Sequence, residues 1–494
     1  MSFWKKLGAA CADIATARRS IPGMFTTYRT IRVAVVGGRN CGKTVFLTSL
    51  ANHLRNHRST VFPLKGGLSV HWDQRAITGD KLYDLPLFNY NAARWNLTQG
   101  KWPPKTVDTT ILALRLLLND TVHGGQEQVQ LEVLDLPGER IADFAMMGKS
   151  YKEWCKWRDE TLSGPNGTSP NYQHYLNAIE NIGANNEAML IDAYRDFMAY
   201  EYGHFAPDIT PSTVKLGLGG ERRDGVSPDE FREAIGKVPM GFTDVDGKVC
   251  EFVPLPVSCF DKTSPFYPLA KKFGHSYDRY VKRVVRPMEK WLGKAQKLIY
   301  LVDVLTLLRS GANAWDAEKQ NAEAAIGALC PHAGNVFGRM WRWTKGVFWR
   351  TQINSVYVVA TKSDLVVGDV NRNNMKELAR RLVDNTLPFL AQEIKRDTVT
   401  CAAVCSTEEV EGEDEGEVGL RGMLEMAEGA SPELASWIPP PVPTDLPISP
   451  DDWKAKIEAG VFDYHKAFPA FGTAESCPPT HLGLNVLVNE MLSK

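Results

Sequence analysis

The sequence lacks an excess of charge of either sign. Its 494 residues carry 57 Lys and Arg against 58 Asp and Glu, a formal net charge of −1. No global field therefore draws nucleic acid or an anionic membrane to the chain. It also lacks any apolar run approaching the ~20 residues needed to span a bilayer. A C-x-x-C pair is missing too: the nine cysteines are scattered with no His pattern nearby, which argues against a zinc site or a disulfide framework and fits a reducing compartment. The opening stretch, MSFWKKLGAACADIATARR, has a lysine pair, but its apolar part is too short and interrupted for a secretory core. Residues 1–30 read as an amphipathic segment leading into the first strand, with peripheral membrane contact as the alternative. These absences lead us to expect a cytoplasmic protein. Hydrophobic and charged contents of 44% and 23% are ordinary for a globular protein.

One stretch organises the rest. Val33–Leu47 reads VAVVGGRNCGKTVFL, a buried strand, a loop and the start of an amphipathic helix. Gly37, Gly42, Lys43 and Thr44 match G-x-x-x-x-G-K-[ST], a phosphate cradle in its proper strand–loop–helix context. The loop residues Arg39, Asn40 and Cys41, with Gly42 and Val45, present backbone N–H groups to phosphate oxygens. The helix adds the positive end of its dipole. Lys43 is expected on the outer phosphates and the Thr44 hydroxyl on Mg²⁺.

Three further strings follow in order. Asp135-Leu136-Pro137-Gly138 ends a hydrophobic strand; its carboxylate can hold Mg²⁺ through water, and the Gly138 N–H can contact a γ-phosphate. Thr361-Lys362-Ser363-Asp364, with Leu365 after it, follows another strand. Asp364 can accept from the N1–H and N2–H₂ donors of guanine, a pair that adenine lacks, and the Lys362 stem can lie over the base; adenine remains the alternative. Thr400-Cys401-Ala402, continuing to Ala403, follows the next strand, and the Ala402 N–H can meet the guanine O6. Thr106, in PPKT before the second strand, is the choice for a threonine that binds Mg²⁺ only in the triphosphate state; Thr109 and Thr110 compete with it. The predicted metal set is Thr44, Thr106 and Asp135. The predicted catalytic set is Lys43, Thr106, Gly138 and Glu139.

Strands are predicted at 31–37, 111–118, 128–134, 297–304, 356–360 and 398–404, and helices at 43–57, 314–329, 375–393 and 484–492. Alternating strands and helices imply an α/β sheet with helices on both faces, and the hairpin 111–134 puts one antiparallel strand at an edge. Residues 58–105 show no period and read as a loop-rich insertion. Residues 140–290 read as an inserted, mostly helical domain between a first part of the sheet domain at 31–139 and a second at 291–407. Its aromatics read as core, and Pro287 should kink its last helix. An extension at 408–494 packs on the sheet domain; its acidic run EEVEGEDEGEVG reads as an exposed loop. The patch GRMWRWTKGVFWR at 338–350 reads as tryptophans packed under snorkelling Arg and Lys, with a membrane or partner face as the alternative.

Together the four motifs look like a Ras-type GTPase core. With VVGGRNCGKTVFLTSLANHL, KWPPKT before ILALRL, LEVLDLPGER, LIYLVDVL, VVATKSDLV and the tail FPAFGTAE…HLGLNVLVNEML, the chain resembles the YcjX-like family of bacterial P-loop proteins over nearly its whole length. The resemblance implies a Ras-like P-loop NTPase sheet plus an added α-helical domain, Mg²⁺ and GTP or GDP as ligands, and a setting in stress responses; such proteins are often described as ATPases. Thr361 stands where the base-recognition motif usually has Asn, a variation that leaves Asp364 in place, and two further departures from Ras-type enzymes matter for mechanism. Glu139 stands where a glutamine usually orients the attacking water, and an anion beside a γ-phosphate is unfavourable. Pro103 stands where the α subunits of heterotrimeric G proteins carry an arginine, leaving Arg39 and Arg140 as substitutes. Slow intrinsic hydrolysis follows, with a protein partner or activator expected. An ATPase with remodelling work and a nucleotide-gated binding module remain the other readings.

Overall fold

A computed structural model describes residues 27–65, 68–72, 81–82, 84–104, 108–120, 126–162, 170–204, 211–214, 228–244, 246–330, 352–384, 386–390, 392–412, 416–425, 431–469 and 478–493. Thr106, the patch at 338–350 and most of the N-terminal segment lie outside the described residues.

Seven strands form the main sheet. In chain order they are β1 (Thr27–Gly37), β2 (Leu68–Trp72), β3 (Thr110–Asp120), β4 (Gln126–Asp135), β5 (Lys297–Val302), β6 (Ser355–Thr361) and β7 (Lys395–Cys401). Across the sheet the order is β7-β6-β5-β1-β4-β3-β2. β1 pairs in parallel with β4 and β5, and β6 in parallel with β5 and β7. β3 is antiparallel to β4, as the hairpin signal required. It is not the edge, however: β2, from the stretch expected to be loop, pairs antiparallel with β3 and caps it. The same stretch also holds a short helix, Tyr90–Thr98 (α2), whose N-cap Asn89 accepts from the Ala92 N–H at 3.1 Å. The architecture is a mixed, mostly parallel α/β sheet, consistent with the Ras-like arrangement expected.

Side-chain alternation along β1 sorts the two faces. Ile31, Val33 and Val35 face α1 (Lys43–Arg55), which buries Phe46, Leu47, Leu50 and Leu54 there. Beside it lies the helix Leu484–Leu492, whose Leu484, Leu487, Val488 and Met491 are buried on the same face. Those four side chains contribute ~6–12 kcal/mol of gross apolar burial, before ordering entropy is counted. Ala34 and Val36 face the opposite layer, where Ala312–Leu329 contributes Ala322, Ala325 and Ile326, and Gly368–Arg381 contributes Met375 and Leu378.

After β4 a 3₁₀ stretch, Gly138–Met146, leads into a mostly helical region: α3 (Tyr151–Leu162), α4 (Pro170–Ile182), α5 (Glu187–His204), α6 (Pro228–Gly236), α7 (Tyr267–Tyr280) and α8 (Arg286–Leu292). A small antiparallel hairpin, Gly241–Thr243 with Val249–Glu251, interrupts it. Trp154, Tyr172, Tyr175, Tyr194, Phe252, Tyr277 and Tyr280 are buried and interlock edge to face or tilted. The aromatics are core, and their cluster runs without a break into the Ala34 face of the sheet. The π turn Val281–Val285 joins α7 to α8 without a break, and Pro287 lies just after it in the first turn of α8.

The acidic run is not wholly a loop: its two ends lie in strands, and 413–415 fall outside the described residues. Thr407–Glu411 (β8) and Val418–Leu424 (β9) pair antiparallel, β9 continues to Glu433–Trp437 (β10), and Ala467–Phe468 (β11) also pairs with β9. The remaining helices are α9 (Val304–Ser310), α10 (Ala312–Leu329), α11 (Gly368–Arg381), α12 (Pro450–Glu458) and α13 (Leu484–Leu492). Among the described residues no helix is long and apolar enough to cross a membrane.

Candidate functional site

The carboxyl ends of β1, β5, β6 and β7 open on one cleft of about 540 Å³. Its lining includes Arg39–Val45, Pro137–Glu139, Thr361, Lys362, Asp364, Leu365 and Cys401–Ala403. Residues from four distant motifs thus share one cavity, where open α/β sheets bind their ligands.

The loop after β1 turns into α1 through Gly42, whose φ of +91° lies in the left-handed region that favours glycine. α1 has neither an acidic residue in its first turn nor a side-chain cap, so its dipole presents positive charge there. Lys43 is buried, and its ammonium donates to the carbonyls of Gly37 (2.9 Å) and Gly38 (2.6 Å). From below, the Gly38 N–H donates to Glu318 Oε1 at 3.2 Å, and the Tyr300 hydroxyl donates to the same oxygen at 2.8 Å. Burial pushes the Glu318 carboxyl up, opposed by these donors and by Lys43. This buttress from α10 has no motif and was invisible in the sequence.

Thr44 lines the cleft. Asp135 is fully buried at the end of β4, in register with Val35 of β1 and with Thr110 of β3. Gly138 lies hard against the phosphate loop: a Cβ there would stand 2.9 Å from Gly37 O and 3.0 Å from Arg39 N. The Glu139 carboxylate is 3.8 Å from the Arg39 guanidinium, and both line the cleft. Arg140 is a correction. Its guanidinium is buried, donates to Ser212 Oγ at 2.8 Å and pairs with Asp143 at 3.4 Å. The Ser212 N–H and hydroxyl and the Tyr280 hydroxyl also donate to Asp143. Arg140 therefore ties the 3₁₀ stretch to the helical region and does not line the cleft.

On the base side, Thr361 Oγ1 donates to Val302 O at 3.1 Å, bracing β6 on β5. Lys362 takes φ of +60° and its ammonium pairs with Asp303, which also caps α9 by accepting from the Thr306 N–H at 3.1 Å. Asp364 Oδ2 accepts from the Ser406 N–H and hydroxyl, both at 2.7 Å. Burial raises this carboxyl, and those two donors oppose the rise. Ala402 lines the cleft, but its N–H donates to Leu482 O at 2.9 Å, and the Leu482 N–H returns a bond to Ala402 O at 2.8 Å. The O6 contact assigned to the Ala402 N–H is corrected accordingly: that donor is already taken.

Further lining comes from Trp102–Pro104, Asp303, Thr306, Arg309, Ser406 and Tyr464–Ala467, among others. Asp303 lies in the quoted LIYLVDVL string and was within reach of a strand-end argument. The 464–467 segment reaches the cleft only through tertiary packing.

The profile of the YcjX-like family, DUF463, matches residues 31–202 and 242–493. A protein of Shewanella oneidensis named "Ras-like GTPase YcjX" is 25% identical over 457 residues, 87% of each chain. One of the same name from Escherichia coli K12 is 25% identical over 400 residues, 77% of this chain and 79% of its own. The matched segments take in all four cleft motifs, and on that extent the chain belongs to the YcjX-like family.

Proposed function

We propose that the protein binds guanine nucleotides with Mg²⁺ and hydrolyses GTP slowly, as a switch. The observation that carries this reading is the single cleft lined by the phosphate loop, Gly138, Asp364 and the Cys401–Ala403 turn. The names of the two relatives agree with it. The polyphosphate lies on the N–H groups of the loop and the positive end of α1, with Lys43 leaving the Gly37 and Gly38 carbonyls for the outer phosphates. Asp364, already oriented by Ser406, accepts from the two guanine donors. Thr44 and Asp135 are hard oxygen donors of the kind a small divalent cation takes, and Thr106, outside the described residues, is the third donor expected. Mg²⁺ held there supplies charge neutralisation between the outer phosphates. Arg39 offsets the charge of Glu139, so an anion is tolerated next to the γ-phosphate. The same pairing withdraws both groups from the water, and hydrolysis is slow. The family setting is a stress response in the cytoplasm, with residues 140–290 as the domain that a change in the Gly138–Met146 stretch displaces.

The test is calorimetric binding of GTP, GDP, ATP and XTP, followed by single-turnover hydrolysis. Tight GTP and GDP with weak ATP is expected. Asp364→Asn should lower the GTP-to-XTP preference by about a hundredfold or more, the worth of two hydrogen bonds to a charged group. Unchanged GTP preference in that variant, or ATP as the tighter ligand, would sink the guanine assignment.

A further inference from the structure

We propose that the segment Tyr464–Ala467 is a wall of the nucleotide cleft, and that Lys466 gives the cleft a phosphate-binding cation. This rests on the reading of the cleft as a nucleotide site.

The segment is held at both ends. Tyr464 is buried; its hydroxyl donates to Pro441 O at 3.2 Å, and its carbonyl accepts from Arg309 of α9 at 3.2 Å. Ala467 pairs with Leu424 of β9, and its carbonyl accepts from the Trp102 indole N–H at 3.0 Å. Trp102 begins the stretch that leads to Thr106. Between these anchors, His465 sets its ring edge to face on Trp437 at 5.8 Å. Lys466 is exposed on the cleft side, with its ammonium 5.4 Å from the Phe468 ring centroid.

The other cleft cations are engaged. Arg39 faces Glu139, Lys362 pairs with Asp303, Lys43 donates to Gly37 and Gly38, and Arg309 donates to Tyr464. Among the described residues no carboxylate pairs with Lys466. A lysine whose backbone is pinned in the wall of a cleft built for a polyanion adds its charge there, although its exposed side chain must leave Phe468 and lose rotamer freedom to do so. The compensation for the missing arginine at Pro103 thus comes from the C-terminal extension, through the contact with Trp102 just before Pro103.

The experiment measures binding of GTP, GDP and guanosine, with Mg²⁺ at low and high salt, to wild type, Lys466→Ala and Lys466→Arg. We expect Lys466→Ala to weaken GTP binding about tenfold or more at low salt, the worth of one charge-assisted hydrogen bond. The loss should shrink at high salt, Lys466→Arg should recover most of it, guanosine binding should not change, and the melting temperature of the nucleotide-free protein should stay put. GTP binding to Lys466→Ala within about twofold of wild type would overturn the proposal and leave the nucleotide reading intact. An equal loss for guanosine would overturn the phosphate assignment. Failure of the wild type to bind either nucleotide would overturn both.

Discussion

Replacing Gly138 by alanine puts the joint between the 3₁₀ stretch and the phosphate loop under direct strain. A Cβ at 138 would meet Gly37 O and Gly38 C at 2.9 Å and Arg39 N at 3.0 Å. All three are backbone atoms, so no side chain can rotate away. Gly138 is not among the glycines with left-handed φ, so the effect is steric alone. Restoring ordinary contact separates the two segments by roughly 0.5 Å, an overpacking cost of about 1–3 kcal/mol. A γ-phosphate needs both segments at once, and a hydrogen bond stretched by that amount to ~3.4 Å is largely lost. We expect Gly138→Ala to weaken GTP binding about ten- to a hundredfold while GDP binding stays within about threefold. Titration of both nucleotides in the presence of Mg²⁺ reads this out. Equal losses for the two nucleotides, or none for either, would refute the reasoning.

Two other outcomes are expected. Tyr280→Phe removes a hydroxyl that donates to buried Asp143 at 2.7 Å; the under-satisfied carboxylate should cost about 1–3 kcal/mol, seen as a lower denaturant midpoint and faster hydrogen exchange in Gly138–Met146. The second concerns His53, whose pKa burial, and then His481 beside it, lowers to about 4; burial lowers His57 and His481 as well. Between pH 6.5 and about 4 the unfolded chain binds protons that folded His53 refuses, so stability falls as pH drops through that window. Unfolding midpoints measured from pH 7.5 to 4.5 should decline in wild type and decline less in His53→Phe, and parallel slopes would count against the histidine account.

Much of the cleft was legible because each motif is a contiguous string whose local geometry carries its chemistry. The Gly37–Thr44 loop, the Asp364 turn and the β3–β4 hairpin needed only short-range signals. Two of the failures, Arg140 and Ala402, have a long-range cause; the two missed strands have local ones. Arg140 sits beside Glu139 in sequence, yet its direction is set by Ser212 and Tyr280, far along the chain. β8 reads TEEVE, and its charges masked a strand because it is a mostly exposed edge. β2 has alternating Leu68, Val70 and Trp72, but five residues are too few for a period to stand out. The Ala402 N–H looked available because its acceptor, Leu482, is 80 residues away in sequence and only the fold brings them together.

The Ala402–Leu482 bridge and the seating of α13 against β1 also set an order of events on the ribosome. Leu482 is made roughly 440 residues after Lys43, so at ~5–20 residues per second the phosphate loop waits about 20–90 s for the strap that closes the Cys401–Ala403 turn. Once Leu301 has been made, the sheet face of Val33, Leu131 and Leu301 has α1 as a cover, but it lacks Leu487 and Met491 until the last stretch of the chain emerges. On the proposed reading, a nascent chain in this state has its phosphate loop before the Cys401–Ala403 turn is closed by Leu482, and it carries an uncovered apolar strip. On that reading, nucleotide selectivity is among the last properties the growing polypeptide acquires.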